Sequence, residues 1–192
     1  MAEPGRRLSR KGSALPTHFF NSVTGKVAIT SVATVAAGAG LAGTAHAETH
    51  FNPGGVSSVD GDWIRYESYT QYSGSVAHAI NAWYKDGGIK FGYDDIFSIT
   101  DLEIGDANRS DVSWLGRWSH NIAADKIDLN VYFLGPSVSD KSNSVLTHEL
   151  GHALGINDHT QTTGILMYQT IASPPIQAPT QHDWDDYNTL WF

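Results

Sequence analysis

The chain has 192 residues, with 12 Lys and Arg against 20 Asp and Glu, a net charge of −8 at pH 7, and no cysteine. So acidic a chain repels phosphate backbones and anionic lipid, which argues against nucleic acid and charged membranes as partners. Without cysteine there is no disulfide framework, no thiol nucleophile and no thiolate metal ligand.

The N-terminal stretch differs from the rest. Arg6, Arg7, Arg10, Lys11 and Lys26 stand there against one acid, Glu3, and an apolar run follows from Val27 to Ala47. A basic flank, an apolar run and a closing Ala-x-Ala predict a secretory signal peptide over 1–47, cut after Ala47. An uncleaved membrane anchor is the alternative, but the run is built from Ala, Gly and Thr rather than Leu and Ile. Residues 48–192 remain, more acidic still and long enough for one domain with its own core. The chain is then secreted and extracellular.

DWIRYESY (62–69) is rich in aromatic and branched residues and predicts a first strand. SGSVAHAINAWYKDGG (73–88) places Val76, Ile80, Trp83 and Tyr84 at helical spacing, with Gly87-Gly88 as the stop. IKFGY (89–93), IFSITDLEI (96–104) and VSWLGRWSH (112–120) predict three more strands. GDANRSD (105–111) carries Asp106, Asn108 and Asp111, which could offer oxygens to Ca2+, but it lacks the glycine and terminal glutamate of an EF-hand loop. A solvated acidic turn is the simpler reading. KIDLNVYFL (126–134) alternates Ile127, Leu129, Val131 and Phe133, a half-buried strand. SNSVLTHELGHALG (142–155) predicts a helix capped by Ser142 or Asn143 and ended by Gly155. HDWDDYNTLWF (182–192) predicts a last helix with Trp184, Tyr187, Leu190 and Trp191 on one face. The expected fold is α+β: a mixed, twisted five-stranded sheet with three helices packed against it.

His148 and His152 lie one helical turn apart, so both imidazoles project from one face and can meet one ion. Glu149 sits beside the first ligand, where its carboxylate can reach a water on the metal without binding the metal. H-E-x-x-H on a helix is the zinc-protease signature. Gly155 can take the left-handed conformation that ends the helix, after which Asp158 or His159 could return to the ion. A bare histidine pair at this spacing is more often a solvated face. The Glu, Gly and Asp at set positions favour the metal.

HELGHALGIND resembles the extended zinc motif of the metzincin metalloproteases, whose third ligand follows the glycine. The resemblance implies Asp158 as that ligand and a supporting or surface role for His159. Asp in this place, followed by His, is similar to the snapalysin-type small secreted proteases, whereas most metzincins carry His. GILMY (164–168) falls where a metzincin Met-turn would, with Met167 beneath the metal. Its Met-Tyr pair and the last helix look more like matrixins. What the resemblance implies is a zincin-like fold and a secreted zinc metalloendopeptidase, with 48–192 as its catalytic domain. His148, His152 and Asp158 would bind one catalytic Zn2+, and Glu149 would be the base that activates the water. The substrate would be an extended peptide or unfolded protein, and the enzyme a monomer. The same resemblance makes Trp114 to His120 the edge strand that a substrate pairs with. It makes YQTIASPPIQAPTQ (168–181) the wall of the pocket for the residue after the scissile bond. Ordinary core packing is the competing role for Trp114 and Trp118. A catalytically silent or membrane-anchored binding protein that keeps the fold is the alternative of another class, and the intact His148, Glu149 and His152 argue against silence.

Overall fold

Alternation along the strands decides which face of the sheet becomes core. The computed structural model describes residues 48–94 and 99–192. The leader assigned to 1–47, and residues 95–98, which include the start of the strand expected over 96–104, lie outside them. Strands β1 (Trp63–Ser68), β2 (Lys90–Tyr93), β3 (Leu102–Ala107), β4 (Gly116–Ser119) and β5 (Asp125–Asn130) form one sheet in the order β2-β1-β3-β5-β4. All pairs are parallel except β4 with β5, which is antiparallel and leaves β4 at an edge. Ile64, Tyr66, Leu102, Ile104, Trp118, Ile127 and Leu129 are buried, and the register sets Tyr66 beside Leu102 and Ile127 beside both Ile104 and Trp118. On the more open face the register partners Arg117–Asp128 and Glu103–Lys126 form ion pairs at 2.7 and 2.8 Å.

Four helices, α1 (Ser73–Ala82), α2 (Val131–Leu134), α3 (Asp140–Ala153) and α4 (Gln181–Trp191), complete the expected α+β architecture. The additional one, α2, comes from the segment expected to be a single strand over 126–134. The Asn130 side chain accepts from the Tyr132 amide at 3.3 Å and donates to the Arg109 and Trp114 carbonyls. It caps one helical turn that Gly135, at φ +79°, closes. The alternation at Val131 and Phe133 was therefore not a strand signal. Helix α1 stops at Ala82, short of Gly87-Gly88, where Trp83 turns into the core and donates its indole N–H to the Thr147 carbonyl. Helix α3 starts earlier than expected, because Ser139 and Ser142 form a reciprocal capping box. Ser142 is itself buried, 3.0 Å from the Ser75 hydroxyl of α1. Strands β3 and β4 begin later than their sequence patterns suggest.

The last carbonyls of a helix have no partner within it. At the end of α3 they are met from far along the chain. Asn52 Nδ2 donates to the His152 carbonyl, the Ser58 amide to Ala153 and the Trp191 indole to Leu154, at 2.7–3.0 Å. These bonds tie the N-terminal strap and α4 to the motif helix. Among the described residues, no helix is long and apolar enough to cross a membrane.

Candidate metal centre

Helix α3 is buried along the motif, and His148, Glu149 and His152 are all inside the protein. Each histidine has its Nδ1 2.8 Å from a backbone carbonyl, Leu166 for His148 and Ile156 for His152. A carbonyl only accepts, so Nδ1 carries the hydrogen and Nε2 of each ring is turned inward. Gly155, at φ +98°, ends the helix as expected. The chain then doubles back and is held against residues 164–168 by His159 N–H to the Met167 carbonyl and Gln169 N–H to the His159 carbonyl. This brings Asp158 Oδ1 to 3.1 Å from His148 Nε2 and 3.7 Å from His152 Nε2. The three donor atoms lie within 4.8 Å of one another.

Of the supporting and surface roles expected for His159, the surface one does not hold. It is fully buried, and it faces His50, His182 and Asp186 instead of the His148–His152 pair. Both oxygens of Glu149 are buried without a hydrogen-bond partner, as is His152 Nε2. Burial pushes the Glu149 carboxyl up to about 8, against the opposing pull of the His148 charge. Burial alone would lower His148, but the hydrogen bond and charge of Asp158 hold it at about 9. Buried His152 drops to about 4. One proton on His148 thus balances the charge of Asp158. Two inward imidazole nitrogens, a carboxylate oxygen and an unpartnered carboxylate alongside fit a zinc ion with an open position.

Three residues that sequence reasoning did not single out hold this centre in shape. A Cβ on Gly151 would collide with Met167, whose Cε would be 2.9 Å away, and with Trp83 Cζ2 at 3.0 Å. Only glycine lets α3 settle on the fully buried Met167. A Cβ on Gly116 of β4 would stand 2.5 Å from Val145 Cγ1 and 2.9 Å from Glu149 Oε1, so the edge strand presses directly on the motif glutamate. Asp183 is fully buried and accepts from the Leu166 and Met167 amides at 3.1 and 3.0 Å, and from the Thr180 amide and hydroxyl. The two glycines leave no local signal. The T-x-x-D capping pattern of Thr180 and Asp183 was there to be read.

Trp114 and Trp118 are buried in the core, and Trp118 stacks on His152 with ring centroids 6.5 Å apart. β4 keeps a free edge beside Glu149. A cavity next to His148 is lined by Val145, Leu166, Tyr168, Ile171 and Ile176, so the loop after Met167 does wall a pocket there. The acidic segment 105–111 builds no comparable site. Gly105 to Ala107 belong to β3, Asp106 accepts from Thr70 and Gln71, and Asp111 is paired with Arg109 at 2.6 Å. Nothing supports calcium there.

A mixed sheet backed by an H-E-x-x-H helix, with a methionine-containing turn bonded to His148 through the Leu166 carbonyl, defines a metal-dependent peptidase of the zincin type. The matrixin family model matches residues 56–191, and the chain belongs to that family. It is a zinc-dependent metalloendopeptidase by family, a hydrolase of peptide or protein substrates. No curated protein matches the chain significantly.

Proposed function

We propose that this chain is a secreted zinc endopeptidase in which His148, His152 and Asp158 hold the ion and Glu149 moves the proton. The observation that carries the reading is the convergence of two Nε2 atoms and Asp158 Oδ1 beside a buried, unpartnered carboxylate. Asp158 is preferred to His159 because it faces both motif histidines, while His159 is engaged elsewhere. That choice favours the snapalysin-like variant of the motif. Zinc bound here supplies a Lewis acid for the peptide carbonyl and lowers the pKa of water.

The protein's own groups do the rest. The Leu166 and Ile156 carbonyls fix the two rings, so their Nε2 atoms stay aimed. Glu149, beside the site without a hydrogen-bond partner of its own, accepts the proton of the attacking water and returns it to the departing amine. The free edge of β4 receives an extended peptide by strand addition. The loop after Met167, which lines the pocket beside His148, walls the position of the residue after the scissile bond. The leader over 1–47 exports the chain, and the mature form starts at Glu48.

Casein hydrolysis by the purified secreted chain tests this. A chelator should abolish it, zinc should restore it, and N-terminal sequencing should begin at Glu48. Asp158→Ala should lose zinc and activity, whereas Asp158→His should keep the metal. Undiminished activity in excess chelator, or in Asp158→Ala, would refute the assignment.

A further inference from the structure

Apart from the His148 centre, a second cluster among the described residues gathers metal-binding side chains. His50 comes from the N-terminal strap, His159 from the return loop, and His182 and Asp186 from one face of α4, a helical turn apart. Their donor atoms lie within 4.8 Å of one another. His182 Nε2 is 3.3 Å from His159 Nδ1, His159 Nε2 is 2.9 Å from Asp186 Oδ2, and His50 Nδ1 is 2.8 Å from Asp186 Oδ1. Donors about 2.0–2.1 Å from a tetrahedral ion stand about 3.3 Å apart, so these spacings are those of a ligand shell. The rings meet edge to face, with centroids 4.8 Å apart for His159 with both His50 and His182.

A second observation is independent of proximity. His159 is fully buried, and its Nε2 and Asp186 Oδ2 are both buried with no hydrogen bond. At 2.9 Å they are close enough to bond, yet the approach is too bent for either to satisfy the other. Two buried donor atoms a ligand-shell distance apart, with no well-aligned hydrogen bond between them, are what a shared ion would satisfy. The misalignment carries a standing penalty unless something satisfies both atoms.

We propose that His50, His159, His182 and Asp186 bind a second zinc ion with a structural role. Three imidazoles and one carboxylate fill a tetrahedral shell, leaving no position for substrate. A nitrogen-rich set suits zinc and is wrong for calcium or magnesium, which prefer oxygen. The ion clamps the strap that begins at Glu48 onto α4 and onto the residue next to Asp158. The strap already covers the end of α3 through Asn52 and Ser58, so the clamp holds residues 50–58 in place. No ligand is shared with the His148 centre, and the inference stands apart from the catalytic reading.

The test strips the purified chain of metal, reloads it with zinc and measures bound metal after gel filtration. Two equivalents are expected in the wild type. One is expected in His50→Gln/His182→Gln and one in His148→Gln/His152→Gln. His50 and His182 are 38% and 34% exposed, so their replacement should leave the fold intact, checked by circular dichroism. Cobalt titration gives a second measure on less perturbed protein. His148→Gln/His152→Gln should keep one equivalent with the intense visible absorption of tetrahedral cobalt, and His182→Gln alone should weaken it at least tenfold. A single wild-type equivalent that survives His50→Gln/His182→Gln and vanishes with His148→Gln/His152→Gln would overturn the proposal. The opposite pattern would leave this site standing and sink the catalytic one.

Discussion

Replacing Asp183 with alanine should unfold the floor of the metal centre. The carboxylate is fully buried and takes hydrogen bonds from the Leu166 and Met167 amides and from the Thr180 amide and hydroxyl. Losing the capping interaction at the start of α4 costs about 1 kcal/mol. Leaving two buried amides without their acceptor costs about 1–3 kcal/mol each. The sum, about 3–7 kcal/mol, is a large share of the ~5–15 kcal/mol that holds a typical domain together. The damage should also reach the site, because the Leu166 carbonyl that orients His148 belongs to the same turn. Urea denaturation of the metal-free protein, in a Glu149→Gln background that prevents self-cleavage, measures the difference. Asp183→Asn, which keeps one acceptor, should lose less, and zinc affinity should fall in the same order. A loss below about 1 kcal/mol for Asp183→Ala would refute this account of the turn.

Glu149→Gln keeps the shape of the side chain without its basicity, so zinc content should be unchanged while kcat falls by ~10²–10⁴-fold. Turnover within threefold of wild type would remove Glu149 as the base. Gly116→Ala pushes a methyl group against Glu149 Oε1 and Val145, and should lower kcat by about 10²-fold with zinc retained. Unchanged kcat would show that the edge strand yields instead. Glu48 is held at about 2 although burial opposes its ionisation, because the Gln161 and Thr162 amides, the Thr162 hydroxyl and the His159 charge outweigh burial. Its contribution is therefore full above the ordinary value of 4.5 and fades as pH falls toward 2. Glu48→Gln should lower the denaturation midpoint near neutral pH, with the gap to wild type closing across that acid window. A gap that stays constant there would contradict the linkage.

What could be read from the chain alone was whatever depends on near neighbours. His148, Glu149 and His152 share a helix turn, so a period of 3.6 residues places them on one face before any packing is known. Gly155 announced the end of α3 because glycine alone enters the left-handed region without strain. Alternation at Ile127 and Leu129 marked the buried face of β5, and failed at Val131 where the Asn130 cap started a helix. Tertiary structure decided the rest. Which of two adjacent residues, Asp158 or His159, turns toward the motif histidines depends on a loop held by backbone bonds to Met167, outside the motif. Gly116 and Gly151 matter only because β4 and Met167 arrive against them. His50 and Asp186, 136 residues apart, meet only because the strap and α4 both close over the end of α3. Such contacts arise from the packing of distant elements, which leaves no local periodicity to read.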